Sequence, residues 1–250
     1  MRKEDLAKLL ALTRAEWRLR QQSTFLGFLW TLLNPALMFA VLYGLFVKWL
    51  GQAQAEYASF LLIGIVQWNF FASATSYALS SLLRRSALLK NYPLPLEVPA
   101  LAAVLSVYFS HLLELLSMCA ILLLMGARPT PAWLWLIPID LGFLLLAAGA
   151  GLLLSGLFAF YTDLERIWGI LLTAGFFLTP VFYPLSVLAP EKAHLLAFSP
   201  LTSVIEASRA ALLGPALCGG VPPAWLWGAA AAAAGVIFLR LKRRAIGDIL

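Results

Sequence analysis

The sequence predicts an all-α membrane protein with six transmembrane helices, an N-terminal amphipathic interface helix and a re-entrant helical pair between the fifth and sixth helices. Of its 250 residues, 62% are hydrophobic and 12% are charged, about half the charged fraction of an ordinary soluble domain. The apolar residues form runs long enough to cross a hydrocarbon core of about 30 Å. Lys and Arg collect at the ends of these runs, so the net charge of +6 indicates membrane topology and not a nucleic-acid surface.

Residues 1–22 are predicted to form a cytoplasmic amphipathic helix at the membrane interface. One helical stripe carries Leu6, Leu9, Leu10, Thr13 and Trp17. Off that stripe lie Lys8, Arg14, Glu16 and Arg18. A basic helix with Trp on its apolar side suits the interface plane. The simpler alternative is a charged leader that only sets topology, and in either case no cleavable signal peptide is expected.

The six spans are predicted from the uncharged or nearly uncharged runs of the remaining domain, 23–250. They cover about 25–48, 57–83, 100–125, 133–160, 166–183 and 223–240. Pro35 is expected to kink the first span, with Asn34 beside it to satisfy a freed backbone group. Gln67 and Asn69 in the second span are polar at membrane depth and are expected to face protein or water.

Residues 84–98 are too polar to cross the membrane and are expected to return on the side from which they came. Pro93, Pro95 and Pro99 leave room for only a short helix, over about 85–91. Fifteen residues with an internal helix exceed the two to eight of an ordinary connection in a helical bundle. The segment is therefore predicted to dock a partner, with a plain turn as the alternative.

Three ionisable groups occur inside predicted spans. His111 and Glu114 are neighbours at i, i+3 on the third span, which fits either a proton relay or substrate contact, or a mutually satisfied polar pair. Asp140 on the fourth span is expected to be water-exposed near the outer mouth or paired with an Arg. The fourth span also carries a face of small residues suited to close helix contact: Gly142, Gly149, Gly151, Ser155 and Gly156.

The fifth predicted span is followed by prolines that divide the chain into two pieces too short to cross. Pro184, Pro190 and Pro200 bound pieces near 185–197 and 201–213. Short apolar pieces of this length lie re-entrant or at the interface, so 185–214 is predicted to dip in from outside and return, with an exterior loop as the alternative. The hypothesis is that this pair closes the exterior mouth at rest and acts as a gate, through Pro184, Pro200, Glu206 and Arg209.

An even number of spans places both termini on one side of the membrane. Fourteen of the 18 Lys and Arg residues fall on that side. The other side receives Lys48, Arg128, Lys192 and Arg209. By the positive-inside rule the termini are cytoplasmic and the chain is a multi-pass protein of the cell (inner) membrane.

Several motifs resemble the permease subunit of ABC-2 type exporters, in the branch that exports O-antigen, teichoic acid and capsular polysaccharide. They are LGFLWTLLNP at 26–35, GIVQWNFF at 64–71, YTDL at 161–164, FLTPVFYP at 177–184 and SPLT at 199–202, followed by Glu206 and Arg209. Thr162 and Ser199 stand where that branch usually has Arg and Asn. The resemblance extends from the first predicted span to the re-entrant pair.

This resemblance implies a transport subunit that exports lipid-linked polysaccharide as a homodimer, together with two copies of a separate ATPase subunit. The chain has no G-x-x-x-x-G-K-[ST] sequence for cradling phosphates, so ATP and Mg are expected on the partner, and neither a catalytic role nor a metal is expected here. In the family, the loop between the second and third spans carries the helix that docks on the ATPase. The corresponding coupling residues are Arg85, Leu88, Leu89, Lys90, Tyr92 and Glu97.

A polysaccharide conduit needs aromatic rings at membrane depth, because sugar rings stack their apolar faces on aromatic side chains. The candidates for this surface are Tyr43, Trp68, Phe70, Phe71, Phe176, Phe177, Phe182 and Tyr183. Taken singly, each of these residues has core packing or lipid contact as its alternative role.

Three other functions remain open. The first is an ABC-2 permease for drugs or lipids, which usually lacks the sequence found here at 26–35. The second is a proton-coupled transporter using His111, Glu114 and Asp140, which would require internal repeats. The third is a membrane enzyme acting on lipid-linked sugars, for which only Asp163 with Glu165 provides clustered carboxylates.

Overall fold

The computed structural model describes residues 3–22, 29–49, 51, 56–214 and 224–249, and within them the chain is helical without any β-strand. The first six α-helices are α1 (Lys3–Gln22), α2 (Leu29–Tyr43), α3 (Tyr57–Leu79), α4 (Ser81–Arg84), α5 (Ser86–Asn91) and α6 (Glu97–Leu124). The remaining six are α7 (Leu136–Phe160), α8 (Leu164–Leu178), α9 (Pro190–Ala197), α10 (Pro200–Leu213), α11 (Ala224–Leu241) and α12 (Arg243–Ile249). A π-helical segment, Gly44–Trp49, continues α2, and 3-10 turns precede α7 and α9 at Pro131–Trp135 and Leu185–Val187.

Among the described residues, four helical segments are long and apolar enough to cross a membrane. They are Leu32–Trp49, Tyr57–Leu79, Glu97–Leu124 and Pro131–Phe160, and they correspond to the first four predicted spans. Residues 25–28 of the first span and 223 of the last lie outside the described residues.

The helix of the fifth predicted span is shorter than the uncharged run that predicted it. α8 has 15 residues, which extend about 22 Å at 1.5 Å each. It ends at Leu178, and the backbone at Thr179 is extended, because the residue before a proline is sterically driven out of the helical region. The 18-residue α11 covers the last predicted span from residue 224 onward.

α3 lies inside the bundle and packs against α2, α6, α7, α8 and α10. Its middle contributes to an apolar cluster shared with α6, α7 and α10: Phe70, Phe71, Ala74, Ala78, Ala103, Val104, Val107, Phe143, Leu146, Ala147 and Val204. Its first half contributes to a second cluster with α10 and the ends of α6 and α7: Leu62, Ile63, Val66, Met118, Leu122, Leu136, Ala211 and Leu212. α10 thus reaches from the middle of the bundle to the end where α6 finishes and α7 begins.

The small-residue face of α7 is used within the chain. A Cβ on Gly149 would lie 2.3 Å from the Ala231 backbone carbon, and a Cβ on Gly228 would lie 2.6 Å from the Gly142 carbonyl oxygen. Gly156 likewise faces Phe238 and Leu239 of α11. Gly142, Gly149 and Gly156 of α7 therefore make the predicted close helix contact with α11 of the same chain.

α1 packs along α6, and its buried stripe differs from the predicted one. Leu9 joins an apolar cluster with Val98 and Ala102, whereas Leu6 and Leu10 are more than half exposed. Glu16, predicted to lie off the stripe, is only 1% exposed. The stripe is rotated because α3 and the segment after it supply cations and a hydroxyl for this carboxylate, which periodicity alone does not reveal.

Candidate functional site

Arg209 of α10 is completely buried and joins three parts of the chain. Its Nη1 donates 2.7 Å hydrogen bonds to the Glu206 carboxylate and the Pro180 carbonyl. Its Nη2 donates to the carbonyls of Val181 at 2.7 Å and Phe60 at 3.1 Å. The guanidinium carbon lies 3.3 Å from the centroid of the Phe60 ring. This arrangement, called here the Arg209 clamp, fixes the break after α8 against the start of α3 and provides a donor for the Pro180 and Val181 carbonyls, which lie outside any helix.

The sequence of α3 provides the space that the Arg209 clamp needs. A Cβ on Gly64 would lie 2.6 Å from both Arg209 Nη2 and the Val181 carbonyl oxygen, so only glycine lets these groups approach α3. One turn further on, Gln67 donates a 2.9 Å hydrogen bond to Ser208. α3 and α10 are therefore joined by polar contacts inside an otherwise apolar interface.

The four predicted gate residues lie around this break. Pro184 precedes the 3-10 turn, and Pro200 is the first residue of α10. Glu206 and Arg209 are both buried and bonded to each other, so neither charge faces an open passage in this conformation. α9, by contrast, has no buried residue.

Six of the eight predicted channel aromatics form one connected surface on α2, α3, α8 and the break after α8: Tyr43, Trp68, Phe176, Phe177, Phe182 and Tyr183. Trp68 meets Phe176 edge-on at 5.9 Å between centroids, and Phe182 lies 5.9 Å from Phe177. Two residues that the sequence argument missed extend the surface: Phe46 stacks on Phe182, and the Tyr57 hydroxyl donates to the Phe182 carbonyl. Phe177 is 60% exposed, so the surface is open on the α8 side.

Phe70 and Phe71 lie apart from that surface, in the interior between α3, α6 and α7. Phe70 stacks on the His111 ring with centroids 4.3 Å apart, and Phe71 lies parallel to Phe143 at 6.1 Å. Both are buried, so in this conformation these two side chains are core residues without access to a conduit.

The intramembrane ionisable groups form one buried cluster. His111 Nε2 lies 3.1 Å from Asp140 Oδ1, and His111 Nδ1 lies 3.6 Å from Glu114 Oε2. Asp140 is therefore buried against a histidine. The prediction that it would be exposed to water or paired with an Arg is wrong. Within the described residues, no group of three or more His, Cys, Asp or Glu side chains has an arrangement that would hold a metal ion.

Some of the predicted coupling residues are bonded or packed within the chain, and others are accessible on its surface. Arg85 donates a 2.7 Å hydrogen bond to Glu16 of α1, and Glu97 accepts one of 3.4 Å from Arg240. Leu89 packs against the apolar cluster of α4, α6, α7, α11 and α12. Lys90 and Tyr92 are exposed, and Leu88 lines a groove beside α1.

Glu16 is a site residue that sequence reasoning missed. Burial raises the pKa of its carboxyl, but hydrogen bonds from Arg85 and Tyr77 and the charges of Arg84 and Arg85 outweigh burial, so the pKa is lowered overall. The hydrogen bond to Glu16 in turn raises the pKa of Arg85. A second helical stripe on α1 could have revealed the burial of Glu16 from the sequence. It consists of Leu9, Thr13, Glu16 and Arg20, which recur at helical spacing.

Comparison with known proteins gives consistent results. The profile of the ABC-2 type transporter family matches residues 7–213. The chain is 30% identical over 203 residues to an O-antigen export system permease protein, RfbA, of Klebsiella pneumoniae, covering 80% of this chain and 78% of that protein. It is 30% identical over 204 residues to RfbA of Myxococcus xanthus, covering 81% and 78%. It is 23% identical over 214 residues to the polysialic acid transport protein KpsM of Escherichia coli, covering 84% and 83%.

Proposed function

Because the chain belongs to the ABC-2 type transporter family, we propose that it is the membrane permease subunit of an ABC exporter of polysaccharide. Its substrate would be a lipid-linked glycan of the O-antigen, teichoic acid or capsule type. The observation that carries the proposal is the similarity, over about four-fifths of the chain, to permeases of O-antigen export. ATP and Mg would bind a separate subunit, present in two copies, whose hydrolysis of ATP drives transport.

Co-expression of the chain with its cognate ATPase tests this proposal. In cells that make a lipid-linked glycan and lack their own exporter, the pair is expected to bring the polymer to the outer face of the membrane. A variant of the ATPase that binds but does not hydrolyse ATP is the control and is expected to leave the polymer inside. Export of a drug or a lipid without any export of polymer would favour the alternative ABC-2 permease.

The proposed topology has six spans, with α8 and α11 as the fifth and sixth, both termini in the cytoplasm and α1 at the cytoplasmic interface. The apolar character of α11 and the distribution of Lys and Arg support it. Single cysteines, in a background without Cys119 and Cys218, test it with an impermeant reagent. A cysteine at Thr130 is expected to label from outside, whereas cysteines at Ser86 and Asp248 are not. A cysteine at Gln54, which lies outside the described residues, is also expected to label.

We assign the translocation path to the space between two copies of the chain. The support is the apolar side of α8, where Ile167, Ile170 and Phe177 are more than half exposed beside the aromatic surface. Sugar rings would stack there on Phe177, Phe182 and Tyr183, the accessible rings of that surface, with Trp68 and Phe176 buried behind them. A cysteine at Ile170 is expected to form a disulfide with the same residue of a second copy. Permeases that remain uncrosslinked while exporting polymer would contradict the homodimer arranged through α8.

The re-entrant pair, residues 185–214, would close the outer mouth of that path. α10 runs from the middle of the bundle back toward the end where α7 begins, which supports a segment that enters and returns. Deleting residues 186–198 removes α9, which has no buried residue, and is therefore expected to spare the bundle. Ion conductance without ATP is expected to rise. A deletion that stays leak-tight and still exports polymer would identify a plain exterior loop.

Coupling to the ATPase would use the surface around α5. Lys90 and Tyr92 are exposed on it, whereas Arg85, Leu89 and Glu97 would hold the segment from behind. This division refines the coupling prediction, since only exposed side chains are available for direct contact with a partner.

A further inference from the structure

One buried carboxylate connects α1 to the point where α5 begins. Glu16 Oε1 accepts a 2.7 Å hydrogen bond from Arg85 Nε, and Oε2 accepts one of 2.6 Å from the Tyr77 hydroxyl. Arg84 Nη2 lies 4.0 Å from the same Oε2, and the Arg84 guanidinium covers the Tyr77 ring at 4.1 Å. Arg85 separates α4 from α5, and its carbonyl accepts the first hydrogen bonds of α5. Glu16 therefore holds the residue from which α5 starts.

The far end of the same segment is also bonded to α1. Lys8 Nζ donates a 3.2 Å hydrogen bond to the carbonyl of Pro93, just beyond the end of α5. Lys8 and Glu16 are about 12 Å apart along the helix, so α1 bridges the whole of α5. Between the two bonded ends lies a groove of about 380 Å³, lined by Lys8, Ala11, Leu12, Ala15, Leu88, Tyr92, Pro93 and Leu94. α5 is therefore joined to α1 mainly through polar contacts at its ends.

On its other side α1 packs along α6, where Leu9 lies in a cluster with Val98 and Ala102. A displacement of α5 would consequently reach α6 through Glu16 and α1, in addition to the covalent path through residues 92–96. A flexible connection transmits little force, whereas a buried, charge-assisted hydrogen bond has a defined geometry.

From these contacts we propose that Glu16 is a positioning residue for transport: its carboxylate sets the orientation of α5 and transfers the movement of α5 to α1 and α6. The proposal rests on the proposed function, in which α5 meets the ATPase. It makes no use of a contact between Glu16 and the partner, because this side chain is buried within the chain. Replacing Glu16 is therefore expected to separate ATP hydrolysis from export.

The experiment uses the complex of full-length permease and ATPase in proteoliposomes or cells. The variants are Glu16→Gln, Arg85→Gln and the double variant, and Glu4→Gln is the matched control because Glu4 is exposed on the same helix. The readout is the number of ATP molecules hydrolysed per polymer exported, measured alongside recovery of the assembled complex. Each single variant is expected to assemble and to raise the ratio about tenfold, and the double variant is expected to be no worse than either single one, because both remove the same interaction. Glu4→Gln is expected to leave the ratio unchanged.

Two results with these variants overturn the proposal. One is an unchanged ratio in assembled Glu16→Gln and Arg85→Gln complexes, and the other is a double variant in which the effects of the two changes multiply. If Glu16→Gln does not assemble, Tyr77→Phe removes one hydrogen bond to the carboxylate and leaves the ion pair in place. Its ratio is expected to rise, and an unchanged ratio would reduce Glu16 to a role in folding. A wild-type complex that exports no polymer would refute the proposed function itself. Normal wild-type export, together with an unchanged ratio of ATP hydrolysed to polymer exported in the variants, would refute only the role of Glu16.

Discussion

Arg209 and Glu206 form a 2.7 Å ion pair in which both side chains are buried. Removing one member of such a pair leaves the other charge uncompensated, at a typical cost of about 3–5 kcal/mol. Arg209→Ala is therefore expected to lower the free energy of unfolding by about that amount. The loss is expected to be larger still because the Pro180 and Val181 carbonyls lose their donor. The measurement is the temperature at which detergent-solubilised protein loses its monodisperse elution peak. Lys192→Ala on α9 is the control, since Lys192 is exposed, and an equal effect of the two changes would contradict the clamp.

Gly64→Ala is expected to disturb the same clamp without removing any charge. The new methyl group would lie 2.6 Å from Arg209 Nη2 and the Val181 carbonyl oxygen, and overpacking of this kind costs about 1–3 kcal/mol. Gly169→Ala on α8 has no atom within 4 Å of the new methyl group, and it is expected to be neutral or to stabilise α8 by up to about 1 kcal/mol. Thermal unfolding of the two variants, measured side by side, distinguishes crowding from helix propensity. Equal stability would show that the Arg209 side chain relocates freely.

The close contact between α7 and α11 predicts that enlarging Gly149 impairs folding of the chain and not its assembly with a second copy. A methyl group on Gly149 would lie 2.3 Å from the Ala231 backbone carbon, which no rotamer change relieves. Gly149→Ala is expected to destabilise the monomer by about 2–3 kcal/mol, while Gly247→Ala, with open space around it, is expected to have no effect. Thermal stability and oligomeric state are measured together. A stable variant that only dissociates into monomers would contradict this assignment and place Gly149 at a contact between subunits.

The coupling segment predicts different outcomes for two neighbouring side chains. Leu89 packs in the cluster that contains Leu239 and Ile246, so Leu89→Ser is expected to lower stability by about 2 kcal/mol. Tyr92 is 63% exposed, so Tyr92→Ser is expected to keep the wild-type unfolding temperature but to reduce ATP-driven export. Stability and export are assayed on the same preparations. Full export by a well-folded Tyr92→Ser variant would mean that the partner docks elsewhere.

The lowered pKa of Glu16 predicts how the attachment of α1 depends on pH. A carboxylate whose folded-state pKa lies below its ordinary value of 4.5 contributes stability that is complete above that value and is lost as pH falls through the lower folded-state pKa. The emission of a fluorophore on an Arg14→Cys variant is expected to stay constant from neutral pH to about 4.5 and to change below it. The same probe in a Glu16→Gln background is expected to lack this change, and a transition at neutral pH in the Glu16 protein would contradict the assigned pKa direction.

The order and type of the helices follow from local features of the sequence. Uncharged runs predict the first four membrane-crossing helices, because burying backbone in lipid requires long apolar helices. Prolines at 93, 95, 184, 190 and 200 predict the short helices α5, α9 and α10, since a proline removes a backbone donor and disfavours helix in the residue before it. These effects act over a few residues and need no knowledge of what lies beside them.

The partners of polar and small side chains depend on tertiary structure. Periodicity places Glu16 on the polar side of α1, yet Arg85 and Tyr77, more than sixty positions away, bring it inside. His111 meets Asp140 on another helix, and the glycines of α7 meet α11. The proline rule that ends α8 at Leu178 is local, but the position of the extended residues after it depends on Arg209. The sequence alone determined which stretches are helical and which of them are apolar, because those effects are short-range. Only the tertiary structure decided which charges and glycines meet, because a buried charge or a close helix contact is stable only with a matching group from a distant segment.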